Sequence, residues 1–91
     1  MEQVFVIDSF NKVRGLQNAA NQFPSWPIKV RDSRGSVADA RSILGLMSLS
    51  YIDPVTICID GDNEWLMGVL ERAIEDEGLL SNMFYKMNPR K

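Results

Sequence analysis

Apolar residues along the chain fall into short runs and alternations that predict four β-strands. The run from Val4 to Ile7 is β-branched and aromatic throughout, which indicates a short buried strand. The segment 28–31 alternates apolar and polar residues, as a strand with one solvated face does. The segment 55–59 alternates in the same way and places Thr56 and Cys58 on the face opposite its valine and isoleucines. The strands are predicted at 4–7, 28–31, 36–39 and 55–59, with a turn at 32–35.

Apolar residues spaced three and four apart predict the helices. The first helix is capped by Asp8 or Ser9, and Pro24 prevents it from continuing. Its apolar positions are Phe10, Val13, Leu16, Ala20 and Phe23. A helix of about two turns follows Ser42, which lies at or near its N-cap, with Leu46 or Leu49 turned inward.

The longest helix is predicted over 64–77, with Asp62 or Asn63 at its start and Gly78 as a C′ glycine. Its apolar stripe is Leu66, Val69, Leu70, Ala73 and Ile74. The segment 79–91 carries more apolar residues than a disordered terminus usually does. We therefore divide the chain into a domain at 1–78 and a C-terminal tail at 79–91, which packs on the domain or mediates self-association.

The predicted order is β-α-β-β-α-β-α. Four strands of this kind form one sheet covered by three helices on a single face, which is an open-faced α+β sandwich. The length of 91 residues fits one core rather than two. Several folds share this layering, so the order alone does not indicate a function.

Composition narrows the classes of function. The net charge is −2 and the lysines and arginines are scattered, so we expect neither nucleic-acid nor membrane binding. A single cysteine, Cys58, fits a reducing cytoplasm, and the N-terminus lacks the pattern of a signal peptide.

The chain has no histidine, which removes the commonest general base and metal ligand together. We expect no metal, no cofactor and no enzymatic activity, and the turn at Asp60 to Glu64 lacks the ligand spacing of a calcium loop.

One continuous motif points to a family. The segment Ala40 to Leu49 resembles the signature around the regulatory serine of HPr, the phosphocarrier of the bacterial sugar phosphotransferase system, in which a small and a basic residue precede Ser-Ile-Met-Gly-Leu-Met-Ser-Leu. Gly35 falls where that family has a turn glycine, and Val55 to Gly61 resembles its last strand. The resemblance extends to about Gly78 and implies the HPr-like fold for the domain at 1–78.

The sequence departs from the family at the phosphorylated histidine. HPr proteins carry that residue just before the first helix, in a Gly-Leu-His-Ala-Arg-Pro-Ala motif. The segment Gly15-Leu16-Gln17 is a tempting match, but it lies too close to Phe23 to leave room for the family's first helix. Aligning the helix end instead places Ser9 at the histidine position and Asn11 at that of the arginine.

The resemblance implies two functional features. Ser42 matches the serine that a dedicated kinase phosphorylates in HPr, and capping of the helix is its alternative role. Ile43, Leu44 and Met47 match the apolar patch by which HPr docks its protein partners, and burial in the core is their alternative. We therefore expect a non-catalytic regulatory or interaction domain, with partners similar to an HPr kinase or a transcription regulator.

Two alternatives remain open at this point. A divergent phosphocarrier would use Ser9 or Asp8 in place of histidine, although no base or arginine is expected beside them. A scaffold domain would form a homodimer through the apolar tail at 79–91.

Overall fold

The structure is a computed structural model that describes the backbone of residues 1–87 and the side chains of residues 1–76. Its elements follow the predicted order. They are β1 (Glu2–Phe5), α1 (Phe10–Asn21), β2 (Ile28–Arg31), β3 (Val37–Asp39), α2 (Ile43–Met47), β4 (Val55–Ile59) and α3 (Glu64–Met87).

The four strands form one antiparallel sheet in the order β1-β4-β2-β3. Ile57 in β4 pairs with Val30 in β2, and both are fully buried, so the centre of the sheet lies beneath the helices. Thr56 and Cys58 alternate with the buried residues of β4 and lie on the open face, as predicted. The fold is therefore the expected open-faced α+β sandwich.

One hydrophobic core lies between the sheet and the helices. The long helix α3 packs along α1, and the short helix α2 contacts α1 and β3. Asn63 caps α3, because its Oδ1 accepts a hydrogen bond from the backbone N–H of Leu66 at 2.9 Å. The largest fully buried side chains are Leu16, Ile28, Val30, Leu46, Val55, Ile57, Leu66, Met67, Leu70 and Ile74.

The predicted position and burial of the first strand are wrong. The strand covers Glu2–Phe5, and Val4 and Val6 are 64% and 63% exposed, whereas Phe5 and Ile7 are buried. The reason is that helices cover only one face of the sheet, so alternate residues of an apolar run point to solvent. An apolar run without polar interruptions does not reveal this alternation.

The predicted end of the last helix is also wrong. Helix α3 continues through Gly78 to Met87. A glycine costs a helix about 1 kcal/mol relative to alanine but does not end it, and the leucines that follow favour helix. The side chains of 77–87 and all of 88–91 lie outside the described residues, and with them the predicted packing or self-association of the tail at 79–91.

Candidate functional site

Ser42 caps α2, as predicted. Its Oγ accepts a hydrogen bond from the backbone N–H of Gly45 at 3.1 Å, and its carbonyl accepts one from the N–H of Leu46 at 2.9 Å. The residue is exposed. The hydroxyl is therefore accessible from solvent while it stabilises the start of the helix.

Gly45 lies one turn into this helix, where α2 approaches β3 closely. A Cβ atom added to Gly45 would lie 3.1 Å from the Oγ of Ser42 and 3.3 Å from the Cβ of Ala38. Both distances are shorter than ordinary van der Waals contacts. The small residue at this position of the motif therefore serves both the cap and the packing of α2 on the sheet.

The short helix has an inward and an outward face. Leu46 is fully buried and Leu49 is 7% exposed, which confirms their predicted inward orientation. Leu44 is 82% exposed and Met47 is 53% exposed. Ile43 is partly buried and packs against the core. Two of the three residues predicted to dock a partner are thus presented to solvent, and the third supports the helix.

The segment after α2 is held in place by hydrogen bonds. The Tyr51 hydroxyl donates to the carbonyl of Leu46 at 2.6 Å, and the N–H of Ser50 donates to the carboxylate of Asp32 at 2.9 Å. Burial, followed by the negative charge of Asp32, raises the pKa of Tyr51 above its ordinary value. The hydroxyl therefore stays protonated and keeps its donor role at neutral pH.

Arg41, the basic residue before Ser42, is already engaged. Its guanidinium pairs with the Asp39 carboxylate at 3.3 Å and donates to the carbonyl of Pro24. The hydrogen bonds from Arg41 lower the pKa of Asp39. The carbonyl of Arg41 accepts a hydrogen bond from Nε2 of Gln17 at 3.3 Å. Gln17 lies inside α1, which covers Phe10–Asn21, and not before it, where the family's histidine is expected.

Ser9, which the sequence alignment predicts at the histidine position, and the neighbouring Asp8 both have structural partners. Ser9 is the N-cap of α1, and its Oγ accepts a hydrogen bond from the N–H of Lys12 at 3.2 Å. Asp8 forms an ion pair with Lys12 at 2.9 Å, and the hydrogen bond from Lys12 lowers the pKa of Asp8. A capping hydroxyl and a paired carboxylate are weak nucleophiles. No histidine base exists to activate either group.

A shallow cleft joins this position to α2. It has a volume of about 530 Å³ and lies between the start of α1, the end of α2 and the loop before β4. Phe10, an apolar position of the predicted first helix, is 50% exposed here, and Ile52 is 92% exposed. The lining residues are Ile7, Asp8, Ser9, Phe10, Val13, Met47, Tyr51 and Ile52. The structure thus brings Ser9 and Met47 to one apolar surface.

Comparison with known proteins supports the fold assignment. A solved structure described as HPr-C-His from Thermoanaerobacter tengcongensis matches with a TM-score of 0.67 and 25% identity, over 85% of this chain and 93% of that one. The fold is HPr-like. A scan against protein-family models finds no match, and a search of curated proteins finds none either. The likeness therefore indicates a relation to the phosphotransferase system without assigning a role.

The described residues form neither a metal-binding cluster nor a membrane-spanning helix. No group of three or more carboxylates or cysteines is placed to hold a metal ion in that part of the chain. Among the helices described, none has the length and hydrophobicity needed to cross a membrane.

Proposed function

We propose that the chain is a regulatory interaction module related to the phosphotransferase system, which docks a protein partner in the cytoplasm through α2. The observation that carries the proposal is the exposure of Leu44 and Met47, at 82% and 53%, beside the accessible hydroxyl of Ser42. An exposed leucine and methionine on one short helix form the kind of apolar surface at which partners bind. The cleft beside Met47 extends this surface toward Phe10 and Ile52.

The partner in this proposal is similar to an HPr kinase or to a transcription regulator that recognises HPr. The motif around Ser42 and the HPr-like fold support that choice. In the modification step, the Ser42 oxygen attacks the γ-phosphorus of ATP, ADP leaves, and the hydroxyl proton passes to a base of the kinase. The product carries close to two negative charges at the start of α2 and changes the docking surface.

Phosphorylation of Ser42 is the first expected result. Incubation with a purified bacterial HPr kinase and ATP should add one phosphate, located at Ser42 by mass spectrometry. The Ser42→Ala variant should take up none and should lose about 1 kcal/mol of stability, because the cap at Gly45 is removed. Unmodified Ser42 after incubation with a kinase that phosphorylates its own HPr would contradict this part of the proposal.

Docking through α2 is tested separately with Leu44→Asp. The variant should lower kcat/KM of the kinase for this protein about tenfold or more, because a carboxylate replaces a central apolar contact. Stability should change little, since Leu44 is 82% exposed. Val37→Asp adds the same charge at a residue that is 58% exposed on β3 and should leave the rate unchanged. If Leu44→Asp and Val37→Asp have the same kcat/KM with the kinase, the docking surface does not include Leu44.

A phosphocarrier role for Ser9 or Asp8 has less support. The capping bond from Lys12 to Ser9 and the ion pair between Lys12 and Asp8 account for both residues structurally. Asn11, at the position expected for the arginine, has no positive charge with which to hold a phosphoryl group. We therefore propose a binding protein without enzymatic activity.

A further inference from the structure

A second exposed surface lies far from the cleft. We call Phe23, Trp26 and Trp65 the aromatic patch. Phe23 follows the C-terminus of α1 and Trp65 lies in the first turn of α3, whereas the cleft lies at the N-terminus of α1. The 12 residues of α1 span about 18 Å. The patch and the cleft therefore lie at opposite ends of α1, whereas Arg41, the residue before Ser42, contacts the patch loop at Pro24.

The two tryptophans of this patch are accessible, whereas Phe23 is partly buried against the core. Trp65 is 64% exposed and Trp26 is 37% exposed. The rings of Phe23 and Trp65 meet edge to face, with centroids 5.5 Å apart and an interplanar angle of 86°. This contact holds Trp65 against the body of the protein while leaving most of its surface in water. Tryptophan presented in this way is typical of residues that dominate binding interfaces.

Three carboxylates lie close to Trp65 along the sequence, and the terminal ammonium of Met1 bonds the carbonyl of Ile59 beside them at 2.8 Å. Asp60, Asp62 and Glu64 are exposed within five residues of Trp65. Among the described residues, none of the three carboxylates forms an ion pair. No lysine or arginine occurs between Arg41 and Arg72 along the sequence.

Stabilisation of α3 accounts for Glu64 but not for all three of these carboxylates. Glu64 in the first turn of α3 interacts favourably with the helix dipole, but Asp60 lies on the strand side of the turn and has no such role. The Arg41 guanidinium bonds the carbonyl of Pro24, between Phe23 and Trp26, but it is already paired with Asp39. The acidic residues are therefore available to a cationic partner.

We propose that the aromatic patch and its three carboxylates dock a basic segment of a partner protein, in which lysine or arginine alternates with apolar side chains. The apolar side chains cover Trp65 and Phe23, and the cations meet Asp60, Asp62 and Glu64. A lysine or arginine above the exposed face of Trp65 gains a cation–π interaction as well. The charge complementarity selects this partner over an acidic or a neutral one.

The test uses a fluorescein-labelled peptide of about a dozen residues that alternates lysine with leucine. Fluorescence anisotropy should show binding to the full chain, weaker at high salt because exposed charges are screened. A peptide that alternates glutamate with leucine lacks the positive charges, and one that alternates lysine with serine lacks the apolar side chains. Each should bind at least about tenfold more weakly than the lysine–leucine peptide. Equal binding of the glutamate peptide would overturn the proposal.

Variants locate the peptide on the patch. Trp65→Ala should weaken binding about tenfold, and the pair Asp62→Asn and Glu64→Gln should remove most of the salt dependence. Val4→Ala is the matched control, because Val4 is also 64% exposed but lies on β1. Circular dichroism checks that each variant is folded. The proposal is refuted if the charge variants and Trp65→Ala bind the peptide with unchanged affinity. It is also refuted if the free chain forms a dimer that Trp65→Ala dissociates. Neither outcome affects the docking proposed at α2.

Discussion

Replacing Leu46 by alanine is expected to lower the free energy of unfolding by about 2–5 kcal/mol. Leu46 is fully buried and is the main anchor of a helix with only five residues. Its truncation removes apolar contacts and leaves a cavity that the fixed ends of α2 cannot close. A domain of this size has a total stability of about 5–15 kcal/mol, so the loss is a large fraction of it.

Urea unfolding followed by circular dichroism measures this effect, and Leu44→Ala provides the control on the same helix. Leu44 is 82% exposed, so its truncation should change stability by only about 0.5 kcal/mol or less. The two leucines thus separate the role of α2 in folding from its proposed role in docking. A loss below about 1 kcal/mol for Leu46→Ala would show that α2 is not anchored as described.

Much of the fold followed from periodicity. The order of elements and the alternation in β4 could be predicted because a one-faced sheet requires every second residue to be apolar. The position of β1 could not, because Val4 to Ile7 is apolar at all four positions and only pairing with β4 fixes its register. The end of α3 was missed because a glycine ends a helix only where the chain also turns.

The candidate site was predictable where a local rule governed it. Ser42 precedes the apolar positions of a short helix, which is the position of an N-cap. The exposure of Phe10 was not predictable, because the first residue of an apolar stripe is buried only if another element covers it, and here the cleft leaves it half exposed. The role of Asp32 was also missed, since a turn residue gave no sign that a segment 18 residues later would donate to it.

Replacing Asp32 by alanine is expected to lower the melting temperature by roughly 5–10 °C. Asp32 is the one charged side chain that is buried among the described residues, with 4% of it exposed. Its carboxylate accepts hydrogen bonds from the backbone N–H groups of Arg34 at 3.0 Å, Ser36 at 2.9 Å and Ser50 at 2.9 Å. The first two close the turn between β2 and β3, and the third ties this turn to the segment after α2. Alanine leaves all three donors without this acceptor.

Asp32→Asn removes the negative charge of the side chain but keeps its shape, so it tests the two contributions to stability separately. An asparagine offers one acceptor oxygen, so it can satisfy the turn or Ser50, and its amide group faces the remaining donor. We therefore expect a loss smaller than that of Asp32→Ala. A melting temperature equal to that of the unchanged protein for both variants would show that the three hydrogen bonds do not stabilise the fold.

The effect of Asp32 should also depend on pH. The hydrogen bond from Ser50, followed by those from Ser36 and Arg34, lowers the pKa of Asp32 in the folded state. A carboxylate whose folded pKa is depressed stabilises the protein above its unfolded pKa of about 3.9 and loses that contribution as the pH falls through the folded value. The stability difference between the unchanged protein and Asp32→Asn should therefore be constant above about pH 5 and shrink toward pH 2.

Glu2, Asp8 and Asp39 also have lowered pKa values, but they are present in both proteins and cancel in the difference. A gap that stays constant down to pH 2 would mean that the charge of Asp32 contributes nothing to folding.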